Sequence, residues 1–303
     1  MPVLVKLRSL KVTSLDVDFH EVSWEVENFP SGQVDMLDYT FQVLRSESQE
    51  GPYDAITPAF EDRFNFVDNN VLVLHRWRQF HYKIRVTEKS SGDFEDFGPI
   101  SITPQPDLVA IELRRHMRLL FQEFAGRRCI VLPVRTFGQR CECWNSTLQA
   151  TTRSGCQACY DTGFLRGYMH PVEAFIQVDP SAKSAQNLNV GKTHQDNTTL
   201  RMGFYPDIKP DDLIIEPENK RWRVVQQNQT EHSRSPVHQE IQVHRIPEKD
   251  IEYKIPVKFG EELKNLFFTP ARNFTNPQNL QGFEDEEVPN IFALYPSSYP
   301  TDP

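Results

Sequence analysis

The chain has 303 residues, enough for two or three domains, and its 22 prolines outnumber its 13 glycines. This composition differs from that of a large α/β enzyme and suits several small β-rich modules joined by proline-bearing connectors. The formal net charge of −9 argues against nucleic-acid binding, because neutralising phosphates requires a surplus of Lys and Arg. The chain shows no signal-peptide pattern and no stretch apolar enough to cross a bilayer, so we expect a reducing cytosol and no membrane association.

Residues 1–104 are predicted to form a β-sandwich. Apolar and polar residues alternate in at least three segments of this region, which is typical of strands with one buried face. The apolar positions are Val22, Trp24 and Val26, then Tyr39, Phe41 and Val43, then Tyr82, Ile84 and Val86. Turn-forming sequences rich in Gly, Pro, Asn and Asp separate these segments, and short strands at this spacing indicate two packed sheets.

This first region resembles a fibronectin type III domain. The resemblance rests on Trp24 in an early strand, on the strand from Tyr82 to Val86, and on the closing strand Phe97-Gly98-Pro99-Ile100-Ser-Ile102. It implies that Trp24 is a core residue and that Tyr82 forms a tyrosine corner. Domains of this family bind partners or act as spacers, and they carry no catalytic residues of their own.

Residues 105–126 are predicted to form a linking helix. Pro106 suits the first helical turn, Asp107 complements the positive end of the helix dipole, and Gly126 marks the end. Apolar residues recur at helical spacing, at Val109, Leu113, Met117, Leu120 and Phe124, and the opposite side carries Arg114, Arg115 and Arg118. We expect this helix to bridge the sandwich and the module that follows.

Residues 127–257 are predicted to form one zinc-stapled β domain. Four of the five cysteines form the pattern C-x-C…C-x-x-C, at Cys141, Cys143, Cys156 and Cys159. Two closely spaced thiolate pairs separated by a polar loop can close a tetrahedral site around Zn²⁺. Each pair lies on a tight turn whose backbone N–H groups can bond to the thiolates, and Gly155 and Gly163 permit the positive φ that such turns need.

Other interpretations of the four cysteines are disulfides or free thiols, a thioredoxin-like redox pair, and a catalytic zinc. A reducing cytosol favours metal over disulfides. A redox pair would open a helix, whereas Gly163 and Gly167 follow the second pair almost at once. A catalytic zinc needs an open position for water, and four thiolates leave none. Cys129, in an apolar run, is expected to be a small buried residue, and His170 is a reserve ligand.

The same domain contains several predicted strands and one predicted loop. A strand is expected over residues 173–178, and three more over 212–216, 221–225 and 240–243, forming a small barrel or hairpin sheet with a turn at 218–220. Residues 179–200 are rich in Asn, Gln, Ser and Thr, which predicts a long loop.

Three motifs that look catalytic or ligand-binding are not interpreted as such. Asp161-Thr162-Gly163 matches the aspartic-protease motif, but that chemistry needs two such carboxylates, and the preceding cysteines assign these residues to the turn. Gly191-Lys192-Thr193 lacks the first glycine of a P-loop. The histidines at 232, 238 and 244 show no metal-binding spacing. We therefore expect no enzymatic activity and no catalytic or cofactor-binding residues other than the zinc ligands.

Residues 258–303 are predicted to form an extended C-terminal arm. This segment has Pro, Asn, Phe and Tyr without a helical or strand period, apart from a short possible helix at 261–267, and its last part is acidic. It cannot form a core of its own, yet it holds many apolar side chains, so we expect it to dock on a neighbouring subunit. A disordered acidic tail is the alternative.

Two further resemblances lie in residues 130–255. The stretch from Cys156 to Tyr168 resembles the zinc knuckles of DnaJ-type and ribbon modules, which implies a ribbon and no chaperone function. The segment from Arg201 to Val224, with its Lys-Pro-x-Asp-x-Ile turn before Arg221-Trp222-Arg223-Val224, resembles neck and tail-completion proteins of tailed bacteriophages. The cysteine pattern with its following Tyr-Asp-Thr-Gly-Phe-x-x-Gly-Tyr is similar to zinc-bearing phage structural proteins.

The phage resemblance implies a virion protein, assembled in the host cytoplasm. Its expected role is a neck ring of identical chains at the head-to-tail connection, with the portal and tail proteins as partners and a structural zinc as cofactor. A baseplate or fibre-associated module that binds the host surface is a second hypothesis, a zinc hydrolase a third, and a host-side zinc adaptor a last one.

Overall fold

The fold is taken from a computed structural model, which describes residues 5–16, 19–27, 34–69, 71, 79–102, 107–178, 185–188, 191–194 and 197–256. The described chain is mainly β, with a closed six-stranded barrel and a cluster of four cysteines, as the sequence predicts. The predicted C-terminal arm lies outside the described residues. Within the described ranges, no helix combines the length and the apolar character that crossing a bilayer demands.

The first part of the chain forms two antiparallel sheets. The strands are β1 (Leu7–Asp16), β2 (Phe19–Val26), β3 (Tyr39–Ser46), β4 (Asp54–Ala55), β5 (Asn65–Asp68), β6 (His81–Glu88) and β7 (Phe94–Ser101). One sheet has the order β1-β2-β5 and the other the order β4-β3-β6-β7. A short 3-10 helix, Met36–Asp38, precedes β3. The apolar side chains of both sheets meet in one core, because each strand turns every second residue inward.

Trp24 and Tyr82 lie in this core, as predicted, with 2% and 0% of their surfaces exposed. The indole ring of Trp24 packs near Phe41, with ring centroids 6.0 Å apart. The buried Tyr82 hydroxyl donates to the Asp68 carboxylate at 3.0 Å and lies 2.9 Å from Nδ1 of His20. A tyrosine in an apolar core needs such partners, since an unpaired buried hydroxyl is costly.

One helix connects the sheets to the barrel. It runs as α1 (Leu108–Leu119) and continues with π-helical hydrogen bonding over Leu120–Ala125. Asp107 is the N-cap, and the helix ends at Gly126, as predicted. A Cβ atom at Gly126 would lie 2.0 Å from the Phe121 carbonyl oxygen, so the chain needs glycine there for close backbone approach.

The helix packs through the side that carries its arginines. Arg114 is 6% exposed and donates to two backbone carbonyl oxygens, of Ser14 in β1 at 2.8 Å and of Pro236 at 2.6 Å. Its guanidinium also stacks on the ring of Phe204, 4.1 Å from the centroid. The helix therefore bridges the two regions, as expected, but with an arginine as its central contact.

Six strands of the second region close into a barrel. They are β8 (Arg127–Leu132), β11 (Val172–Val178), β14 (Asn197–Gly203), β15 (Leu213–Ile215), β16 (Arg221–His232) and β17 (Ser235–Arg245). Their order around the barrel is β11-β14-β17-β16-β15-β8, with β8 pairing back to β11. A 3-10 helix, Ile251–Lys254, follows β17. The interior holds apolar side chains from all six strands, so the barrel is a packed core.

The predicted long loop over residues 179–200 is wrong in its second half. Two short strands, β12 (Ala185–Leu188) and β13 (Gly191–His194), pair as a hairpin, and β14 begins at Asn197. The polar composition concealed β14 because this strand directs only Leu200 and Met202 fully into the barrel. Gly191-Lys192-Thr193 lies in β13 and not in a loop before a helix, as a phosphate-binding loop would require.

The cysteine region is the connection between two neighbouring barrel strands. Val131 of β8 pairs with Val172 of β11, and residues 133–171 form the loop that joins them. We call residues 133–171 the cysteine loop. It carries one small hairpin, β9 (Trp144–Asn145) with β10 (Ala150–Thr151), and isolated bridges join Val134 to Tyr168 and Arg140 to Phe164.

The cysteine loop also contacts the two-sheet region directly. Phe137 is 2% exposed and belongs to the core that the two sheets share. Arg135, with a side chain only 2% exposed, donates two hydrogen bonds to the Asp62 carboxylate, at 2.9 Å and 2.7 Å. Arg166 pairs with Asp35 at 2.6 Å. An apolar anchor, one buried ion pair and one partly exposed ion pair thus fix the loop against the sheets.

Candidate metal centre

The four predicted zinc ligands converge in the cysteine loop. The sulfur atoms of Cys141, Cys143, Cys156 and Cys159 all lie within 4.8 Å of one another. The Sγ atoms of Cys141 and Cys156 are 3.7 Å apart, and those of Cys143 and Cys159 are 3.3 Å apart. These separations are too long for disulfides, which hold their sulfurs about 2.05 Å apart. All five cysteines are free thiols, so the disulfide alternative is not supported.

The cluster has the dimensions of a four-thiolate zinc site. Zn–S bonds of about 2.3 Å at tetrahedral angles place the sulfurs about 3.8 Å apart. The observed pair distances fall near this value, and three of the four cysteines are buried. The donor set therefore fits Zn²⁺ held by the protein alone, with no position open for water.

Two tight turns present the sulfurs, as the glycines predict. Gly155 precedes the second pair with φ of +76°, and Gly163 follows it with φ of +79°. The backbone N–H groups of Ala158 and Cys159 donate to the Cys156 sulfur, and that of Gly163 donates to the Cys159 sulfur. Such hydrogen bonds favour the thiolate form, which is the form that binds metal.

These bonds and the burial of the site shift the thiol pKa values in different directions. Hydrogen bonding to the Ala158 N–H lowers the pKa of Cys156 to about 7. Burial raises the pKa values of Cys143 and Cys159. Burial disfavours the charged thiolate form. A bound divalent cation would offset this effect and stabilise all four thiolates, because its positive charge attracts them.

The Asp-Thr-Gly motif supports the second turn. Asp161 accepts hydrogen bonds from the backbone N–H groups of Gly155, at 2.8 Å, and Cys156, at 2.9 Å. The Thr162 hydroxyl donates to the Cys159 carbonyl oxygen at 2.7 Å. The predicted structural role of these residues is thus confirmed. The two bonds of Asp161 were not foreseen, although an Asp five residues after the first cysteine of the pair is a visible signal.

An aromatic and cationic stack lies beside the two cysteine turns. The guanidinium of Arg140 lies between the rings of Trp144 and Phe164, at 4.0 Å and 3.8 Å from their centroids. The backbone N–H of Cys141 donates to the Gly163 carbonyl oxygen at 3.0 Å, which joins the two cysteine turns. The sequence predicted no role for Arg140, because Phe164, which completes the stack, is distant from it in the chain and leaves no local pattern.

The remaining candidate residues lie away from this centre. Cys129 is 0% exposed in the barrel, as expected for a structural thiol, and burial raises its pKa. His170 is not part of the cluster, so it is not a reserve ligand; burial lowers its pKa to about 4. His232 approaches Asp107 at 3.6 Å and His244 contacts Asn197 at 2.8 Å, and among the described residues neither belongs to a group of side chains that could hold a metal.

The barrel turn beside the cysteine loop is organised by Asp212. This side chain, 1% exposed, accepts from the backbone N–H of Lys209 at 2.7 Å and from that of Val134 at 2.8 Å. Burial raises its pKa to about 7. Asp212 therefore links the start of β15 to the first residues of the cysteine loop.

Comparison with known proteins gives no relative for this chain: no protein-family model matches its sequence, and a search of curated proteins finds no significant match.

Proposed function

We propose that this protein is a structural protein of a tailed-phage virion that joins head to tail as a neck ring between portal and tail. In this proposal the four-cysteine cluster binds one structural zinc per chain. The barrel meets neighbouring copies in the ring, and the C-terminal arm locks onto the portal or tail. The chain acts mechanically and carries out no catalysis.

The observation that carries the proposal is where the phage-like motifs lie in the fold. The Lys-Pro-x-Asp-x-Ile turn leads into β15, and Arg221-Trp222-Arg223-Val224 opens β16, so both motifs belong to adjacent strands of one barrel. The Asp of the motif is Asp212, whose carboxylate holds both this turn and the start of the cysteine loop. The residues on which the resemblance rests thus act together in one structural unit.

The strand order of the first region supports a fibronectin type III-like module. Two antiparallel sheets of order β1-β2-β5 and β4-β3-β6-β7, with Trp24 and Tyr82 in the core between them, agree with the two-sheet sandwich that the resemblance implies. A module of this kind would project from the ring as a spacer or a binding surface.

The chemistry of the donor set favours a structural over a catalytic metal. Four thiolates saturate a tetrahedral zinc, whereas hydrolytic zinc sites keep a fourth position for water. The hydrogen bonds from Asp161 and Thr162 hold the backbone of the turn, and neither side chain is placed as a general base for a bound water. A zinc hydrolase is therefore the less favoured hypothesis.

Native mass spectrometry of the full chain, alone and after co-expression with the portal and tail proteins of the same genome, tests the proposal. We expect one zinc per chain and a closed ring or a stoichiometric complex with the portal or a tail protein. A zinc-bound chain that stays monomeric and binds neither partner would refute the connector role while leaving the metal site intact. Binding to host-surface glycans instead would support the baseplate or fibre hypothesis.

A further inference from the structure

The linking helix carries an apolar stripe that no described residue covers. Val109 is 52% exposed, Leu120 is 41% exposed and Phe124 is 84% exposed, while Leu113 and Met117 between them are half-buried. The helix instead packs on the barrel and on β1 through Ala110, Ile111, Arg114 and Phe121. We call the five residues Val109, Leu113, Met117, Leu120 and Phe124 the helix stripe.

This arrangement is unusual for a surface helix. Successive residues of the stripe are three or four positions apart, the pattern of a helix face that packs against another element. Soluble proteins rarely expose contiguous apolar surface of this kind, and where they do, it marks an interaction site. The stripe therefore has the character of a docking surface.

We infer that the helix stripe binds the C-terminal segment of the same chain, residues 257–303. This segment contains six Phe and two Tyr residues, enough aromatic side chains to cover five apolar positions. As it cannot form a core of its own, its apolar side chains need a surface to pack on. The helix stripe is such a surface.

The charges of the two partners are complementary. The helix itself, residues 108–125, carries three arginines against two carboxylates, and Arg114 is turned away from the stripe toward the carbonyl oxygens of Ser14 and Pro236. Residues 257–303 carry seven carboxylates against three basic side chains, with no Lys or Arg after Arg272. The helix and the segment are thus opposite in net charge, but the arginines lie on the side of the helix away from the stripe, so the apolar contact and the point where the described chain ends carry the choice of this partner.

The point at which the described chain ends favours binding within one molecule. The carbonyl oxygen of Ile255 accepts from Arg221 at 3.0 Å, at the start of β16. At the same end of the barrel, Arg127, which follows the helix, lies 3.5 Å from Glu216, and Glu216 accepts from Trp222. The described chain therefore ends at the end of the barrel where the helix leads into β8, and attachment to the same chain gives the segment a high effective concentration there. This inference concerns the isolated chain and does not rest on the proposed function.

Photo-crosslinking of the zinc-loaded full chain tests the inference. A benzophenone amino acid replaces Phe124, and a matched control places it at Leu148, which is 68% exposed on the cysteine loop. Equal amounts of ¹⁴N- and ¹⁵N-labelled chains are mixed before irradiation, and crosslinked peptides are identified by mass spectrometry. We expect position 124 to crosslink to peptides from residues 257–303 of the same isotope, and position 148 not to do so.

Other crosslinks from position 124 would overturn the inference. Mixed-isotope pairs would assign the stripe to the segment of a neighbouring copy, and crosslinks to residues 108–125 would assign it to a second helix. The absence of any crosslink to residues 257–303 would show that the segment does not contact the stripe, and would also overturn the inference. As a second test, the double variant Leu120→Asp/Phe124→Asp should speed proteolysis of the segment about tenfold or more, since burying one Phe is worth at least that factor. Val225→Asp, at a position 58% exposed on β16, is the control and should leave that rate unchanged.

Discussion

The ring of Phe137 meets the ring of Phe64 edge to face, with the two centroids 4.6 Å apart. Phe137 belongs to the cysteine loop and Phe64 to the two-sheet region, so one aromatic pair joins two parts of the chain with different architectures. Burial of a Phe side chain in a foreign core contributes about 1.5–3 kcal/mol. The cysteine loop is therefore anchored on the core of the two sheets. We expect a substitution that lowers the stability of either part to lower the stability of the other as well.

Loss of a single ligand should remove the metal and loosen the cysteine loop without opening the barrel. We expect Cys159→Ser to lose the zinc and to lose amide-exchange protection over residues 134–169, while β14 to β17 stay protected. Hydrogen exchange and metal analysis measure both effects, and chelation of the wild type should reproduce them. Cys129→Ala is the control, because Cys129 is a buried thiol outside the cluster. Equal metal loss in both variants would contradict the assignment.

The two glycines of the second cysteine turn should differ in their tolerance of a side chain. Both have positive φ, so alanine costs about 1–2 kcal/mol at either position. A Cβ at Gly163 would also lie 2.6 Å from the Trp144 ring, whereas a Cβ at Gly155 meets nothing within 4 Å. We expect Gly163→Ala to be less stable than Gly155→Ala by about 1–3 kcal/mol in denaturant unfolding. Equal losses would mean that Trp144 moves aside freely.

The buried ion pair between the cysteine loop and the sheets should be far more sensitive than an exposed one. Asp62→Asn leaves the buried guanidinium of Arg135 without its bidentate carboxylate, and we expect a loss of about 3 kcal/mol. Asp96→Asn removes the partner of Arg85, where both side chains are about one-third exposed, and should cost less than about 1 kcal/mol. Urea unfolding measures both, and similar values would show that the Arg135 pair is solvated.

Acid should destabilise the two-sheet region through His20. Burial lowers the pKa of His20 to about 4, against a smaller raising effect of Asp68, with Arg45 also lowering it. The unfolded chain binds a proton near pH 6.5, so stability falls as pH drops from 6.5 to 4 and levels off below, by about 3 kcal/mol in all.

The measurement is the difference in unfolding free energy between wild type and His20→Gln as a function of pH. Burial also raises the pKa values of Glu21 and Asp212 to about 7, so these two groups lower the unfolding free energy as the pH rises from about 4 to 7. Both proteins contain these two groups, so their contributions cancel when the unfolding free energy of His20→Gln is subtracted from that of the wild type. We expect the two stability curves to converge as the pH falls from 6.5 to 4. Curves that stay parallel over this range would show that His20 is solvated in the folded state.

Local patterns predicted much of this structure, and long-range contacts account for what they missed. Cysteine spacing and flanking glycines located the four-cysteine cluster and its turns, because a turn and the side chains on it are neighbours in the chain. The orientation of the helix could not be predicted in this way. Arg114 is buried because it reaches carbonyl oxygens of Ser14 and Pro236, and no pattern within the helix encodes those partners. The sequence did not reveal strand β14, because the backbone hydrogen bonds that pair it with β17 form equally well between polar and apolar residues.

The cysteine loop begins and ends at a pair of adjacent barrel strands, and this has a consequence for how the protein can vary. Val131 and Val172 are joined by the β8–β11 ladder whatever lies between them, so the register of the barrel is independent of the length of the insertion. The cysteine loop is in this sense a separable insertion between two paired strands. We expect the barrel to tolerate a longer loop, a different loop or a short turn in its place with the strand ladder unchanged, at the cost of the contacts through Phe137, Arg135, Arg166 and the Val134 backbone.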